Sequence, residues 1–220
     1  MEAISCSLMG YVIGSVNPAY LIARAKGFDI RKKGSGNAGA SNALIVMGKK
    51  IGFISAILDI FKAFFVVKLA ALLFPSFTQA RVLAGVGCIL GHIFPVFMGF
   101  RGGKGLASLG GMILALDLRA FFVMLLCEAI FALIVDYICV VPITASIILP
   151  FVYLSITSDY IGTAIFGVAS LVMLLKHVEN LKRIRKGTEA HLSFLWHREK
   201  EIKRLSGEDP PESVSDSEHH

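Results

Sequence analysis

Phe100-Arg101-Gly102-Gly103-Lys104-Gly105 is a basic, glycine-rich segment between two apolar stretches, residues 80–98 and 105–118, that are long enough to enter a membrane. It places three glycines and two cations within six residues. Glycine frees backbone N–H groups to surround an anion, and lysine and arginine supply positive charge. The segment therefore predicts a phosphate site at the bilayer surface and points to phospholipid chemistry, with an ordinary positively charged turn as the alternative.

The bulk composition excludes a soluble domain, because 55% of the 220 residues are hydrophobic and the mean hydropathy is +0.70. A membrane-spanning helix needs about 20 mostly apolar residues. Seven segments are candidates, the fourth of them short and rich in glycine: residues 3–23, 51–74, 80–98, 105–118, 119–135, 138–156 and 160–176. We therefore expect an all-α fold, a polytopic integral membrane bundle of about seven transmembrane helices formed by residues 1–190.

Lysine and arginine are unevenly distributed, and their distribution predicts the orientation of the chain in the membrane. Seven fall in residues 24–50, two in 99–105 and nine from Lys176 onwards. Because cytoplasmic loops carry the excess of positive charge, these three segments are expected to share the cytoplasmic face. With seven spans the N-terminus then lies outside and the C-terminus in the cytoplasm, and the first span is retained rather than cleaved. Topology and anion binding explain the net charge of +6, and no nucleic-acid module is indicated.

The chain beyond the last apolar segment changes character twice. Residues 191–205 place Leu192, Leu195 and Trp196 among lysines and arginines, which is typical of an interfacial amphipathic helix. Residues 206–220 are acidic and rich in serine and proline, and we expect a disordered tail there. The four cysteines lie in or beside apolar segments without Cys-x-x-Cys spacing, so neither a disulfide nor a metal site is predicted.

The loop after the first span carries Gly34-Ser35-Gly36-Asn37-Ala38-Gly39, which fits the G-x-G-x-x-G pattern of dinucleotide-binding proteins. That pattern needs a preceding strand and a βαβ unit, whereas here a basic cluster and an apolar helix surround it. Nucleotide binding is therefore excluded. What remains suits phosphate oxygens, namely flexible amides, nearby cations and the polar side chains of Ser35, Asn37, Ser41 and Asn42.

A third polar segment follows the last span, where His177 and Asn180 lie one turn apart on the same helical face. A histidine there would orient a hydroxyl nucleophile or exchange its proton. An asparagine would position a carbonyl or phosphate group. The alternative is an ordinary polar helix end. Inside the second span, Asp59 and Lys62 are three residues apart, and we expect a structural ion pair.

These motifs occur in a fixed order along residues 10–190. Together they resemble the acyl-phosphate:glycerol-3-phosphate acyltransferases, the small bacterial integral-membrane (PlsY-type) family. The matching stretches are residues 14–15 with 18–22, 34–42 with 48–50, Asp59 with Lys62, 91–95, 100–105, and 177–180 with 182–183 and 187–189.

The resemblance implies seven helices in the bacterial cytoplasmic (inner) membrane, an active site facing the cytoplasm, and neither cofactor nor metal. The implied reaction transfers a fatty acyl group from acyl phosphate to the 1-hydroxyl of sn-glycerol 3-phosphate, giving lysophosphatidic acid and phosphate. An acyl phosphate is already activated, so positioning and charge neutralisation suffice without a protein-bound acyl intermediate. The implied partners are the two substrates, membrane lipid and an acyltransferase that produces acyl phosphate.

The resemblance also implies roles for individual residues. The catalytic residues would be Ser35, His177 and Asn180. Substrate contacts are implied for Gly34, Gly36, Asn37, Gly39, Ser41, Asn42, Gly102, Gly103, Lys104 and Gly105, with Lys104 holding the glycerol phosphate. Structural roles are implied for Glu179, Asp59 and Lys62, of which Glu179 would brace the fold.

Some positions depart from the family pattern. Ser41 keeps the hydroxyl where the family usually has threonine, but Ile45 and Val178 stand where arginine is usual. Residues 136–142 lack an arginine and two serines that the family carries, one of them replaced by Pro142. A second hypothesis is therefore a non-catalytic or altered-substrate paralogue that binds acyl phosphate or anionic lipid. A small-anion transporter is a third, although it requires inverted repeats.

Overall fold

The structure, a computed structural model, describes residues 1–197, 201, 203 and 204. Within these residues the chain folds into nine α-helices: α1 (Glu2–Gly14), α2 (Pro18–Ala25), α3 (Ala40–Met47), α4 (Lys49–Leu73), α5 (Ala80–Ile93), α6 (Leu106–Leu116), α7 (Leu118–Val135), α8 (Val140–Thr157) and α9 (Tyr160–Arg185). Short 3₁₀ turns occupy Ile30–Lys32, Val96–Met98 and Leu192–Leu195. The predicted all-α class is confirmed.

Five segments of the described chain are long and apolar enough to cross a membrane: Glu2–Ala25, Ala80–Met98 and the helices α7, α8 and α9. α6 is apolar but has only 11 residues, short of the about 20 that a span requires. α4 has 25 residues but contains Asp59 and Lys62. The count of seven spans therefore stays a prediction that depends on these two helices.

The first span is broken at Asn17-Pro18. α1 ends at Gly14, and α2 begins at Pro18 with the Asn17 side chain as its N-cap. The break leaves carbonyl groups without helical hydrogen-bond partners. Lys62 of α4 provides the missing donor. Its Nζ donates to the carbonyl oxygens of Gly14 (2.9 Å) and Val16 (2.7 Å). The break is thus stabilised by a cation from another helix.

The same lysine belongs to a buried charge cluster with Asp59 and His92. Lys62 Nζ lies 2.6 Å from Asp59 Oδ1, and His92 Nδ1 lies 3.2 Å from that oxygen. Asp59 and His92 are 1% and 3% exposed, so removal of one partner would leave an uncompensated charge in a dry environment. The cluster joins α4 to α5 and to the end of α1, and His92 is the member that spacing alone does not predict.

α1 and α5 pack with their backbones in close approach because glycines line the contact. A Cβ added at Gly14 would overlap the carbonyl group of Cys88, and one at Gly91 would overlap the carbonyl group of Tyr11. In a membrane protein such close approach supplies van der Waals contact where lipid weakens the hydrophobic driving force. The packing fixes the end of α5, from which the basic loop begins.

The C-terminal region is described in part. His191 forms an isolated β-bridge with Tyr137, and Leu192–Leu195 is a 3₁₀ turn. Residues 201, 203 and 204 are helical, while 198–200, 202 and 205 lie outside the described residues. The amphipathic helix predicted for 191–205 therefore stays a prediction. The predicted acidic tail, residues 206–220, also lies outside the described residues.

Replacement of Gly91 by alanine tests the α1–α5 packing. Because the added Cβ would meet backbone atoms of Tyr11, we expect the free energy of unfolding to fall by about 1–3 kcal/mol. Gly167→Ala in α9 is the matched control, since nothing lies within 4 Å of its added Cβ. Its stability should be unchanged or slightly higher. Thermal unfolding in detergent compares the two variants, and equal midpoints would contradict the close packing.

Candidate active site

The first loop is organised by Asn42, a fully buried residue in the first turn of α3. Its Nδ2 donates to the carbonyl oxygens of Ile30 (3.1 Å), Lys33 (3.0 Å) and Asn37 (2.7 Å). Its Oδ1 accepts the N–H of Ser35 at 2.8 Å. One side chain thus supplies the hydrogen bonds that regular secondary structure would otherwise give. The substrate contact implied for Asn42 stays a prediction, whereas its geometry gives it a positioning role.

The first loop lies directly against the second. Asn17 Nδ2 donates to the Ala38 carbonyl oxygen at 2.9 Å, which holds the loop on the break of the first span. The Ala38 N–H then donates to the Gly102 carbonyl oxygen at 3.4 Å. Gly39 is so close to Gly103 that a Cβ on the former would touch the Cα of the latter at 4.0 Å. Two of the three predicted segments therefore meet.

The second loop folds back onto the end of α5. The N–H of Gly102 donates to the Ile93 carbonyl oxygen (3.1 Å), and the N–H of Gly103 donates to the His92 carbonyl oxygen (3.0 Å). A Cβ at Gly103 would overlap the imidazole of His92, and one at Gly102 would overlap the His92 carbonyl oxygen. Both glycines are therefore required for packing on the buried charge cluster.

Several of the backbone amides that were expected to be open to an anion are bonded within the protein. In the second loop the N–H groups of Gly102 and Gly103 are bonded to α5. In the first loop the N–H of Ser35 is bonded to Asn42, and that of Gly36 donates to the Lys33 carbonyl oxygen at 3.2 Å. Since a donor already bonded within the protein is not available to phosphate, these four amides do not serve anion recognition in this conformation.

Lys104 reaches from the second loop to the end of α9, where its Nζ contacts Oδ1 of Asn180. Asn180 in turn donates through Nδ2 to Glu189 Oε1 at 2.6 Å. Arg183 Nε lies 2.7 Å from the other oxygen of Glu189. Burial lowers the pKa of Lys104. The third predicted segment is thereby joined to the second through a chain of buried and half-buried polar side chains.

His177 lies on the same face of α9 as Asn180, and both are buried. His177 Nδ1 lies 2.7 Å from the Met173 carbonyl oxygen. Since a carbonyl oxygen only accepts hydrogen bonds, Nδ1 is the donor in this contact. A neutral imidazole that donates through Nδ1 presents Nε2 as an acceptor. The predicted pair His177 and Asn180 therefore points inward beside Lys104, as its helical spacing indicates.

Glu179 is the exception within this segment. Two residues from His177, it projects to another side of the helix and is exposed. The carboxylate that braces the end of α9 is Glu189, which is 7% exposed and bonded to both Asn180 and Arg183. The structural role implied for Glu179 stays a prediction. Glu189 lies after the helix and escapes any argument from helical spacing.

A cleft of about 240 Å³ opens between the first and second loops, lined by Asp29, Arg31, Lys32, Gly36, Arg101 and Gly102. Arg31 is held in place by Asp29, at 2.7 Å, and by the Met98 carbonyl oxygen, at 2.6 Å. The hydrogen bond from Arg31 lowers the pKa of Asp29 to about 2. Two further cations, Lys32 and Arg101, are exposed at the rim. The cleft suits an anionic group.

The remaining predicted residues lie on the two loops. Ser35 and Ser41 are exposed, Asn37 is half-buried, and Gly39 is buried. Gly34 and Gly36 adopt positive φ angles of 58° and 75°, which glycine tolerates. Gly105 has φ of 94° and is the residue before α6. Individual contacts of these residues with substrate stay predictions.

Sequence reasoning counted Arg101 among the cations of the second loop but did not assign Arg31, His92 or Glu189 individually to the site. The spacing of Asp29 and Arg31 in a basic run was the available signal for the cleft. His92 and Glu189 lie in the stretches 91–95 and 187–189 that match the family pattern, but their contacts could not be derived from spacing, because their partners are remote in sequence or lie across a helix end.

Comparison with known proteins gives concordant similarities. A family model described as glycerol-3-phosphate acyltransferase matches residues 4–187. A glycerol-3-phosphate acyltransferase of Desulfotalea psychrophila is 35% identical over 185 residues, 83% of this chain and 94% of the relative. One of Brucella suis is 34% identical over 191 residues, 86% of this chain and 92% of the relative.

Two solved structures are also similar. They are crystal structures of PlsY (YgiH), described as an integral membrane glycerol 3-phosphate acyltransferase. The glycerol 3-phosphate form has a TM-score of 0.80 at 31% identity and covers 89% of this chain and 98% of that chain. The lysophosphatidic acid form has a TM-score of 0.76 at 30% identity, with coverages of 87% and 95%. Both likenesses extend over most of each chain.

Replacement of Asn42 by alanine tests the organisation of the first loop. The change removes the donor and acceptor that hold residues 30–37, so local opening should become about ten- to a hundred-fold more favourable. Limited trypsin cleavage measures this, because Arg31, Lys32 and Lys33 lie in the loop. Ser41→Ala, at the exposed neighbouring position, is the control and should be cleaved at the wild-type rate. Equal rates for all three proteins would show that Asn42 does not hold the loop.

Proposed function

The chain belongs to the glycerol-3-phosphate acyltransferase family, and from this premise we propose that it transfers a fatty acyl group from acyl phosphate to the 1-hydroxyl of sn-glycerol 3-phosphate. Lysophosphatidic acid and inorganic phosphate are the proposed products. Family membership makes the chain a multi-pass membrane acyltransferase of phospholipid synthesis. The acyl-phosphate donor, the position acylated and the product are what the proposal adds.

The observation that carries the proposal is the meeting of Lys104 with Asn180 beside His177. It places a half-buried cation, an amide and an imidazole acceptor at one point of the bundle. The basic cleft with Arg31 and Arg101 lies alongside, across Gly102. Two anionic substrates need two cationic positions, and the end of the bundle provides both.

The proposed chemistry is a direct transfer. The 1-hydroxyl of glycerol 3-phosphate attacks the acyl carbonyl carbon, and the bond from that carbon to the phosphate oxygen breaks. Phosphate leaves with the electron pair of the broken bond. His177, through Nε2, would orient the attacking hydroxyl and exchange its proton, while Asn180 would position the reacting groups. Lys104 would neutralise the phosphate of glycerol 3-phosphate, and Ser35 with the first loop would hold the acyl phosphate.

We further propose that the protein lies in the bacterial cytoplasmic (inner) membrane with seven spans. The N-terminus would be outside, and the C-terminus and the active site would face the cytoplasm. The positive-inside distribution of lysine and arginine supports this orientation. Acyl phosphate would come from a separate acyltransferase that produces it, so a functional link between the two enzymes is expected.

Lys104→Ala tests the function and the site together. Loss of the half-buried charge proposed to neutralise substrate phosphate should lower phosphate release by about a hundred-fold or more. The assay uses purified protein with acyl phosphate and glycerol 3-phosphate. Lys68→Ala is the matched control, since Lys68 is an exposed lysine in α4. It should keep wild-type turnover, and comparable turnover by Lys104→Ala would contradict the site assignment.

The same assay separates the alternatives. Binding of acyl phosphate by the wild-type protein without turnover would overturn the proposed function and favour an altered-substrate or non-catalytic paralogue. Restoration of turnover by Ile45→Arg would then identify the missing cation as the cause. Uptake of phosphate by proteoliposomes without acyl transfer would favour a transporter.

A further inference from the structure

The chain that follows α9 folds back against the loop between α7 and α8. We call residues 188–197 with Glu201 and Arg204 the C-terminal latch. Asp136, at the end of α7, holds it at two points. The Asp136 carbonyl oxygen accepts the N–H of Leu192 at 2.7 Å. The Asp136 carboxylate accepts the N–H of Ser193 at 2.8 Å and its hydroxyl at 3.1 Å.

An aromatic contact reinforces this attachment. The rings of Tyr137 and His191 have centroids 4.9 Å apart, and the Tyr137 hydroxyl lies 3.2 Å from His191 Nε2. The two residues also form the isolated β-bridge. Backbone, ring and carboxylate contacts at neighbouring positions define one docked conformation of the latch.

The other end of the latch is an ion pair that reaches back to the active site. Glu201 is 5% exposed and accepts the N–H of His191 at 2.8 Å. Arg204 pairs with Glu201 through two nitrogens, at 2.6 and 2.9 Å. Arg204 also donates to the carbonyl oxygen of Glu189 at 2.7 Å and to that of Gly187. Because a buried carboxylate is stable only when it is well paired, these partners indicate that Glu201 makes a specific structural contact.

Glu189 is therefore held from both sides. Its carboxylate faces Asn180 and Arg183, and its backbone is bonded to Arg204. The turn before it contains Gly187 at a positive φ of 68°. Regular secondary structure therefore does not fix the direction of Glu189. Without the latch the carboxylate would sample many positions, and ordering it would cost free energy in each catalytic cycle.

We propose that the C-terminal latch is a positioning element of the active site, in which Asp136, Glu201 and Arg204 hold Glu189 where it orients Asn180 and Lys104. The inference rests on the proposed function for its catalytic consequence. The family model matches residues 4–187, so Glu201 and Arg204 lie outside the range that the model describes. Asp136, Glu201 and Arg204 act through Glu189 and are positioning residues.

Cys139 offers a readout that does not depend on turnover. Burial and the adjacent Glu189 carboxylate raise the pKa of the Cys139 thiol to about 12, and Lys104 opposes this rise. If the latch releases Glu189, Cys139 should ionise more readily and react faster with a small alkylating reagent. The full-length protein is used with Cys127→Ala, which removes the exposed thiol, since Cys6 and Cys88 are buried.

The experiment compares Arg204→Ala and Asp136→Ala with Arg185→Ala, an exposed arginine of α9 outside the latch. We expect the two latch variants to label Cys139 about ten-fold faster, and its apparent pKa to fall. Their kcat should fall about five- to ten-fold. Arg204→Lys, which keeps the charge, should recover part of the loss. The control should match the wild type in every measurement.

A double variant separates positioning from general stability. If Arg204 acts through Glu189, Glu189→Gln combined with Arg204→Ala should be no slower than Glu189→Gln alone. Additive losses, or labelling of Cys139 at the wild-type rate in both latch variants, would overturn the inference. If the wild-type protein is inactive but the latch variants still label Cys139 faster, the proposed function is overturned. The structural role of the latch then still stands.

Discussion

A charged side chain inside a lipid-surrounded bundle must be met by oxygen partners, and two lysines impose this constraint on the chain. Lys62 is met by Asp59 and by the carbonyl groups at the break of the first span. Lys104 is met by Asn180, which Glu189 holds. Because the carbonyl groups of Gly14 and Val16 and the side chain of Asn180 are remote in sequence from these lysines, each lysine fixes how separate helices are placed. Lys62 stabilises the break of the first span, on which the first loop lies, and Lys104 joins the second loop to the end of α9.

The elements that sequence predicted well are those that the membrane itself requires. A backbone in lipid must satisfy its hydrogen bonds internally, so long apolar runs such as α7 and α8 become helices. The helix α3 was not predicted, because its eight residues lie in a polar loop and its apolar run is too short to register.

The site shows the same division between local and remote effects. His177 and Asn180 could be placed together because helical spacing is a local rule. The sequence singled out the glycines of the second loop as a source of free amides, whereas the structure shows that Gly102 and Gly103 are needed for packing. Gly103 packs on His92, and its amide is bonded to α5. No local pattern predicts that contact, or the choice of Glu189 over Glu179 as the brace.

The central claim is that Glu189 orients Asn180 and Lys104 for catalysis, and two isosteric variants test it most directly. Glu189→Gln removes the charge of the buried carboxylate that follows α9. Glu179→Gln removes the charge of an exposed carboxylate in the last turns of α9. The measurement is kcat for acyl transfer by the purified proteins. The account predicts a loss of about ten- to a hundred-fold for Glu189→Gln and wild-type turnover for Glu179→Gln. Equal turnover by the two variants would contradict it.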